Sequence, residues 1–460
     1  MLPITPILVV LATTALIYRV CQIGRRPKNY PPGPPTLPIL GNILQFEKWA
    51  RQYGPIYSLM LGTQCMIVLS DDAAGKELLD RRSAIYSSRQ DMYIGQELCS
   101  GSLRLLMMKY GPTWRMFRKM VYSLLNVVTF KSYIPYQMLE NKQMLYQILT
   151  EPEDFLKHIR RYSDALTTTM VFGWRTPTYD DPKMKQLFAG FAEFADLNQT
   201  GPAAFIDFFP LLQKLPASLL PAKKKAMELH VHEKALYKGH WLKAKEDIRN
   251  GTIKPCFSIG MYETQKKEGF SDDQACYISG TLLEAGSDTT SSTFRLPSWK
   301  TSTIYSTSGA AWTPRHSNPR EYNPGRCKDD RQSLGDAAAN PDGSKRDAYT
   351  FGAGRRICPG IHVAERSLFL GMARILWAFE IRPAKDEVTG EDIIPDQERL
   401  TQGFVCMPVE FPADIRPRSK ERADMVRREW EDAKRECLDL RTGQWLQSPV
   451  DARGALRGMA

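Results

Sequence analysis

Ten residues in the last quarter of the chain carry the clearest chemistry: Phe351-Gly-Ala-Gly354-Arg-Arg356-Ile-Cys358-Pro-Gly360, followed by an apolar-periodic stretch through Phe379. The two internal glycines permit a tight turn. Pro359 suits the first position of a helix, where its missing N–H is not needed. Cys358 then falls at a helix N-terminus, where the macrodipole and free backbone N–H groups stabilise an anionic sulfur, as a metal-bound thiolate requires. A lone cysteine is more often a small buried hydrophobe than a ligand, so its context has to decide.

Upstream, Ala285-Gly286-Ser287-Asp288-Thr289-Thr290 lies in a helical run beginning near Gln274. Ala285 and Thr289 are four apart and share a face, and Gly286 is expected to leave out the side chain that would block a pocket there. The bland alternative is ordinary helix polarity with cap-like hydroxyls. Trp114 and Arg118 are also spaced i, i+4, a pairing common on any amphipathic helix.

The elements that must position these groups read as mainly α with a small β region. Residues from about 43 to 290 look helical, apart from strand-like Ile56–Leu61 and Met66–Leu69, which are separated by Gly62. Phe205 to Pro221 is apolar and broken by Pro210, Pro216 and Pro221, so it should be a helix end and loop, either packed or free to touch a membrane or gate a pocket. The piece from Arg416 reads as a charged, solvated helix, and 418–460 as a tail. With 43% hydrophobic and 25% charged residues, most of the chain should fold in water.

Its start differs. Leu2 to Tyr18 carries no charge and is followed by Arg19, Arg25, Arg26 and Lys28, so residues 1–20 are expected to anchor the chain in a membrane as a single pass, with the body in the cytosol. Residues 21–42, with Pro31-Pro-Gly-Pro-Pro35, should form a stiff extended hinge. Nine scattered cysteines without CxxC pairs argue against a disulfide framework or a zinc site and fit a reducing compartment. Beside an anchor, the net charge of +11 points to an anionic membrane or an acidic protein partner rather than to nucleic acid.

The cysteine block resembles the haem-binding loop of the cytochrome P450 family, whose pattern Phe-x-x-Gly-x-Arg-x-Cys-x-Gly is matched at Phe351, Gly354, Arg356, Cys358 and Gly360. The resemblance implies the fold of that family and haem b, with Cys358 as the axial thiolate ligand of the iron. Phe351 would shield the sulfur. Arg356, with Trp114 and Arg118 matching the family's Trp-x-x-x-Arg, would hold the haem propionates. Thr289 would hydrogen-bond dioxygen at the iron, and Asp288 would help relay protons toward O–O cleavage.

The activity so implied is a monooxygenase acting on an apolar small molecule, with electrons from NADPH through a membrane-bound NADPH-cytochrome reductase. The style of the chain is similar to microsomal enzymes of filamentous fungi, which implies the endoplasmic reticulum and secondary metabolism.

The pattern breaks once. Between the distal helix and the cysteine loop the family carries a Glu-x-x-Arg helix that braces the loop, yet Ser291 to Arg320 contains neither Glu nor Asp. Glu246-Asp-Ile-Arg249 has the spelling but precedes the distal helix. Cys358 lies only 69 positions after Thr289. The junction at 295–315 lacks helical periodicity, and the likeness resumes at about His316, toward Arg326, which would complete the brace. The rival reading is therefore a truncated, inactive paralogue or a wrongly spliced product with weak or no haem binding. A haem isomerase or dehydratase that needs no external electrons is a further alternative, opposed by the Asp288-Thr289 pair.

Overall fold

Ser271 opens the helix that organises the molecule. Its hydroxyl accepts the Gln274 backbone N–H at 3.2 Å while its own N–H donates to Gln274 Oε1 at 2.9 Å, a reciprocal cap that satisfies two orphan donors. Asp272 and Asp273 add negative charge to the first turn, where the macrodipole favours it. The computed structural model describes residues 4–37, 40–42, 49–125, 131, 133–198, 201–294, 325, 328–342, 349–396, 399–401 and 408–447. The junction at 295–315 and Arg326 lie outside the described residues.

In chain order the longer helices are α1 (Ile4–Gln22), α2 (Pro112–Leu125), α3 (Ile134–Thr150), α4 (Phe155–Phe172), α5 (Pro182–Leu197), α6 (Pro202–Phe208), α7 (Pro221–Arg249) and α8 (Phe257–Glu268). They continue with α9 (Asp272–Phe294), α10 (Leu334–Ala339), α11 (Ile361–Ala378) and α12 (Lys420–Cys437). The β content is small, as expected. β1 (Ile56–Leu61) and β2 (Gln64–Leu69) form an antiparallel hairpin that turns at Gly62, and β3 (Phe379–Lys385) pairs with β4 (Asp392–Ile393) and β5 (Ala413–Pro417).

Nearly every residue of α4 is buried, because the helix stands between two apolar clusters. One joins it to α3, α11, α12 and β3 through Tyr136, Ile159, Tyr162, Phe294, Phe379 and Trp430. The other joins it to α2, α7, α8 and α9 through Phe117, Phe172, Trp241, Phe257 and Tyr277. At its side Glu140, with no exposure, takes Arg161 Nη1 at 2.6 Å and Arg175 Nε at 2.5 Å, so the buried carboxylate is compensated by two guanidinium groups.

Two expectations need correction. The C-terminal helix is not merely solvated: Ala423, Val426, Trp430 and Ala433, at helical spacing, bury one face of α12 in the first cluster. The proline segment is not a free hinge. Arg26 donates to the carbonyls of Gly33 at 2.9 Å and Pro34 at 2.7 Å, and Ser58 of β1 donates its N–H to Pro32 and its hydroxyl to Pro31, which fastens the segment to the sheet.

Among the described residues no helix is long and apolar enough to cross a membrane. On α1, Val10, Leu11, Leu16 and Ile17 are exposed.

Candidate active site

The cysteine loop is built by local geometry and held by a distant short helix. Gly352 and Gly354 take φ of +76° and +54°, which an L side chain rarely adopts. A Cβ at Gly354 would also collide with the Leu79 carbonyl oxygen, and the Gly354 N–H donates to Asp80 Oδ1 at 2.6 Å. The Cys358 N–H closes the loop on the Phe351 carbonyl at 2.7 Å. Its sulfur accepts the Gly360 N–H. Burial raises the thiol pKa, opposed by that bond and by the Arg118 charge. Helix α11 starts at Ile361 with Gly360 as cap, so Pro359 stands before the cap rather than in the first helical position.

Two of the three clamp residues do meet. The Arg356 guanidinium lies 4.3 Å above the Trp114 ring and donates from Nε to the Ser87 carbonyl and from Nη2 to the Met108 carbonyl, both at 2.7 Å. Its Nη1 is buried with no hydrogen-bond partner. Arg118, one turn beyond Trp114, donates to the Ile357 carbonyl, immediately before the cysteine. Among the described residues no carboxylate pairs with Arg118 or Arg356. Burial and the neighbouring Arg89 and Arg118 charges lower the Arg356 pKa to about 10. Half-buried cations with a free donor beside a thiol loop form an anion-binding arrangement. Haem, with its carboxylates and iron, fits that donor set.

On α9, Ala285 and Thr289 are exposed on one face, as their spacing requires, and the Thr289 hydroxyl donates to the Ala285 carbonyl at 2.5 Å. Asp288 is buried beside them. Gly286 does not clear that face. A Cβ there would lie 2.5 Å from Oγ1 and 2.9 Å from Cγ2 of Thr167, so its missing side chain admits α4 and opens no pocket. Helices α9 and α11 meet where Phe294 lies over Gly371.

The misplaced Glu246–Arg249 pair closes the end of α7, with Arg249 Nε 3.5 Å from the Tyr262 hydroxyl, and braces nothing near the cysteine. Sequence reasoning also missed Ser87 and Met108, whose contribution is a backbone carbonyl that no side-chain pattern signals.

The cytochrome P450 family pattern matches residues 31–296 and 315–410. The chain belongs to the cytochrome P450 family. Among similar proteins, cytochrome P450 monooxygenase virE of Hypocrea virens is 42% identical over 90% of each chain. Cytochrome P450 monooxygenase fogE of Aspergillus ruber is 40% identical over 96% of each. Cytochrome P450 monooxygenase fsoB of Humicola fuscoatra is 35% identical over 94% of this chain and 95% of its own. The 497-position alignment with virE uses only 90% of a 460-residue chain, which leaves roughly 80 positions where this P450 has no residue. The family match is interrupted between 296 and 315, where the Glu-x-x-Arg helix was sought.

Proposed function

We propose that this chain is a haem-dependent monooxygenase that inserts one atom of O2 into an apolar small molecule, with electrons from NADPH passed on by an NADPH-cytochrome reductase. The bound haem would supply dioxygen activation, promoted by electron donation from a thiolate ligand. Cys358 would offer that thiolate, with the Gly360 N–H aimed at the sulfur and the Phe351 carbonyl holding the Cys358 N–H. Arg356 Nη1 and Arg118 would take the propionate carboxylates in charge-assisted bonds, with Trp114 as a flat support under the Arg356 guanidinium. Thr289 would turn its hydroxyl from the Ala285 carbonyl to the open face, and Asp288 would renew the proton it gives up.

The observation that carries this reading is the buried, unpartnered Arg356 Nη1 beside a capped thiol. The relatives' monooxygenase names support the reaction class, and their fungal sources support a place in fungal secondary metabolism. Attachment to the endoplasmic reticulum membrane through α1, with the body toward the cytosol, is supported by that helix's exposed apolar residues and the basic segment after it.

The test is the reduced, carbon-monoxide-bound spectrum of the purified chain beside Cys358→Ala. A Soret band in the thiolate position, lost in the variant, is expected. Its absence from the parent chain sinks the proposal. That outcome would favour the second reading, a truncated and inactive paralogue or wrongly spliced product, which rests on the roughly 80 alignment positions where this chain has no residue and on the break in the family match between 296 and 315.

A further inference from the structure

Away from the cysteine loop the chain buries a cluster with more acid than base. Arg104, in the loop before α2, donates through Nη2 to Glu233 of α7 and through Nη1 to Glu284 of α9. The three side chains are 4%, 7% and 12% exposed, so solvent does little to offset their charge. Arg104 is fixed by Ser100 Oγ at 3.2 Å from Nε and by the Phe194 ring 4.1 Å from its guanidinium carbon. The Tyr237 hydroxyl donates to Glu284 Oε1. Glu233 Oε1 is buried without a hydrogen-bond partner.

With both acids ionised, this site would hold one uncompensated negative charge in a nearly dry place, which is costly. A single bound proton makes the cluster neutral. The orphaned Glu233 oxygen is where a proton removes most of that cost, and burial accordingly raises the Glu233 pKa.

The charged and titratable neighbours are few. Tyr277 comes from α9, Tyr237 and His230 from α7, and Cys99 from the Arg104 loop, with Asp207 of α6 near Cys99. His230 Nδ1 is 3.0 Å from the Cys99 carbonyl, which can only accept, so that nitrogen carries a hydrogen. The Tyr277 hydroxyl, 2.8 Å from the same nitrogen, then accepts there and stands next to Glu233. The half-buried His230 thus links the cluster to the surface. Asp288 is four residues beyond Glu284, one turn along the same side of α9.

We propose that Glu233 and Glu284 share one proton across Arg104, and that this proton is the store from which Asp288 is recharged. On transfer, the Asp288 carboxylate gains the proton, and both glutamates stand ionised on Arg104. A solvent proton returning past His230 and Tyr277 restores the balance, and no electron moves. The glutamates act through Asp288 and touch no substrate. The relay half rests on the monooxygenase reading, whereas the shared proton does not.

The test uses the full chain and the isosteric variants Glu233→Gln and Glu284→Gln, with unfolding midpoints recorded for each. The infrared spectrum at neutral pH should contain a deuterium-sensitive protonated-carboxyl band that disappears in either variant, because each leaves one carboxylate for one guanidinium. A band lost in one variant only, or in neither, overturns the sharing. With haem and reductase present and no organic substrate, Glu284→Gln should shift NADPH electrons several-fold from water toward hydrogen peroxide and change the pH profile of that partition. An unchanged partition overturns the relay. If the chain takes up no haem, the monooxygenase reading and the relay fall together, while the infrared result still decides the shared proton.

Discussion

Replacing Gly286 with alanine separates two opposite views of the distal helix. If the residue faced an open pocket, the change would add only helix propensity and stabilise the protein by about 1 kcal/mol. Instead the new Cβ meets Thr167 Oγ1 at 2.5 Å and Cγ2 at 2.9 Å. Thr167 is buried, and its hydroxyl donates to the Ser163 carbonyl at 2.7 Å, so it has little freedom to turn aside. Overpacking of this kind costs roughly 1–3 kcal/mol. The net expectation is a loss of about 1 kcal/mol, some 2 kcal/mol below the open-pocket outcome.

Thr167→Ala removes both colliding atoms and leaves a Cβ at 3.3 Å, so the double variant should recover about 1–2 kcal/mol relative to additivity. Denaturant unfolding followed by circular dichroism measures all four proteins of the cycle. A stabilised Gly286→Ala with additive behaviour toward Thr167→Ala would refute the packing argument.

Gly354→Ala should abolish haem uptake while leaving the helical circular dichroism, because the side chain strikes the Leu79 carbonyl at a positive φ. Retained haem at the parental ratio contradicts it. Arg356→Leu removes the free Nη1 donor and should weaken haem binding about ten- to hundred-fold in a haem titration of the apoprotein. An unchanged dissociation constant argues that no propionate is held there.

Burial raises the Asp164 pKa from 3.8 to about 6. Its stabilising protonation is fully present below the unfolded value near 4 and is lost as pH rises through 6, at a cost of up to about 3 kcal/mol by pH 8. Asp164→Asn should therefore be more stable than the parent at pH 8 and converge with it near pH 4. A difference independent of pH in unfolding experiments would exclude this linkage.

The cysteine loop was legible because its information is local. Two glycines at positive φ, an arginine, a thiol and a following apolar-periodic helix sit within a few residues, where sterics and hydrogen bonds act directly. The same holds for the β1–β2 turn at Gly62 and for the shared face of Ala285 and Thr289. Repeat spacing alone dictates such features.

What the spacing left open is what each face meets. Gly286 could face a groove or a neighbour, and the crossing of α4 over α9 decided for Thr167. The charged C-terminal helix hid a core face at Val426 and Trp430, whose sparse apolar residues count only once α3 covers them. Arg104 finds its carboxylates 129 and 180 positions away, and Arg356 finds carbonyls 248 and 269 positions before it. Pairings at such separation are set by how rigid helices pack against each other, and no local period encodes that packing. The sequence by itself thus determined a thiol loop and a distal helix of the P450 kind. Tertiary structure alone decided which charges stand unpaired beside them.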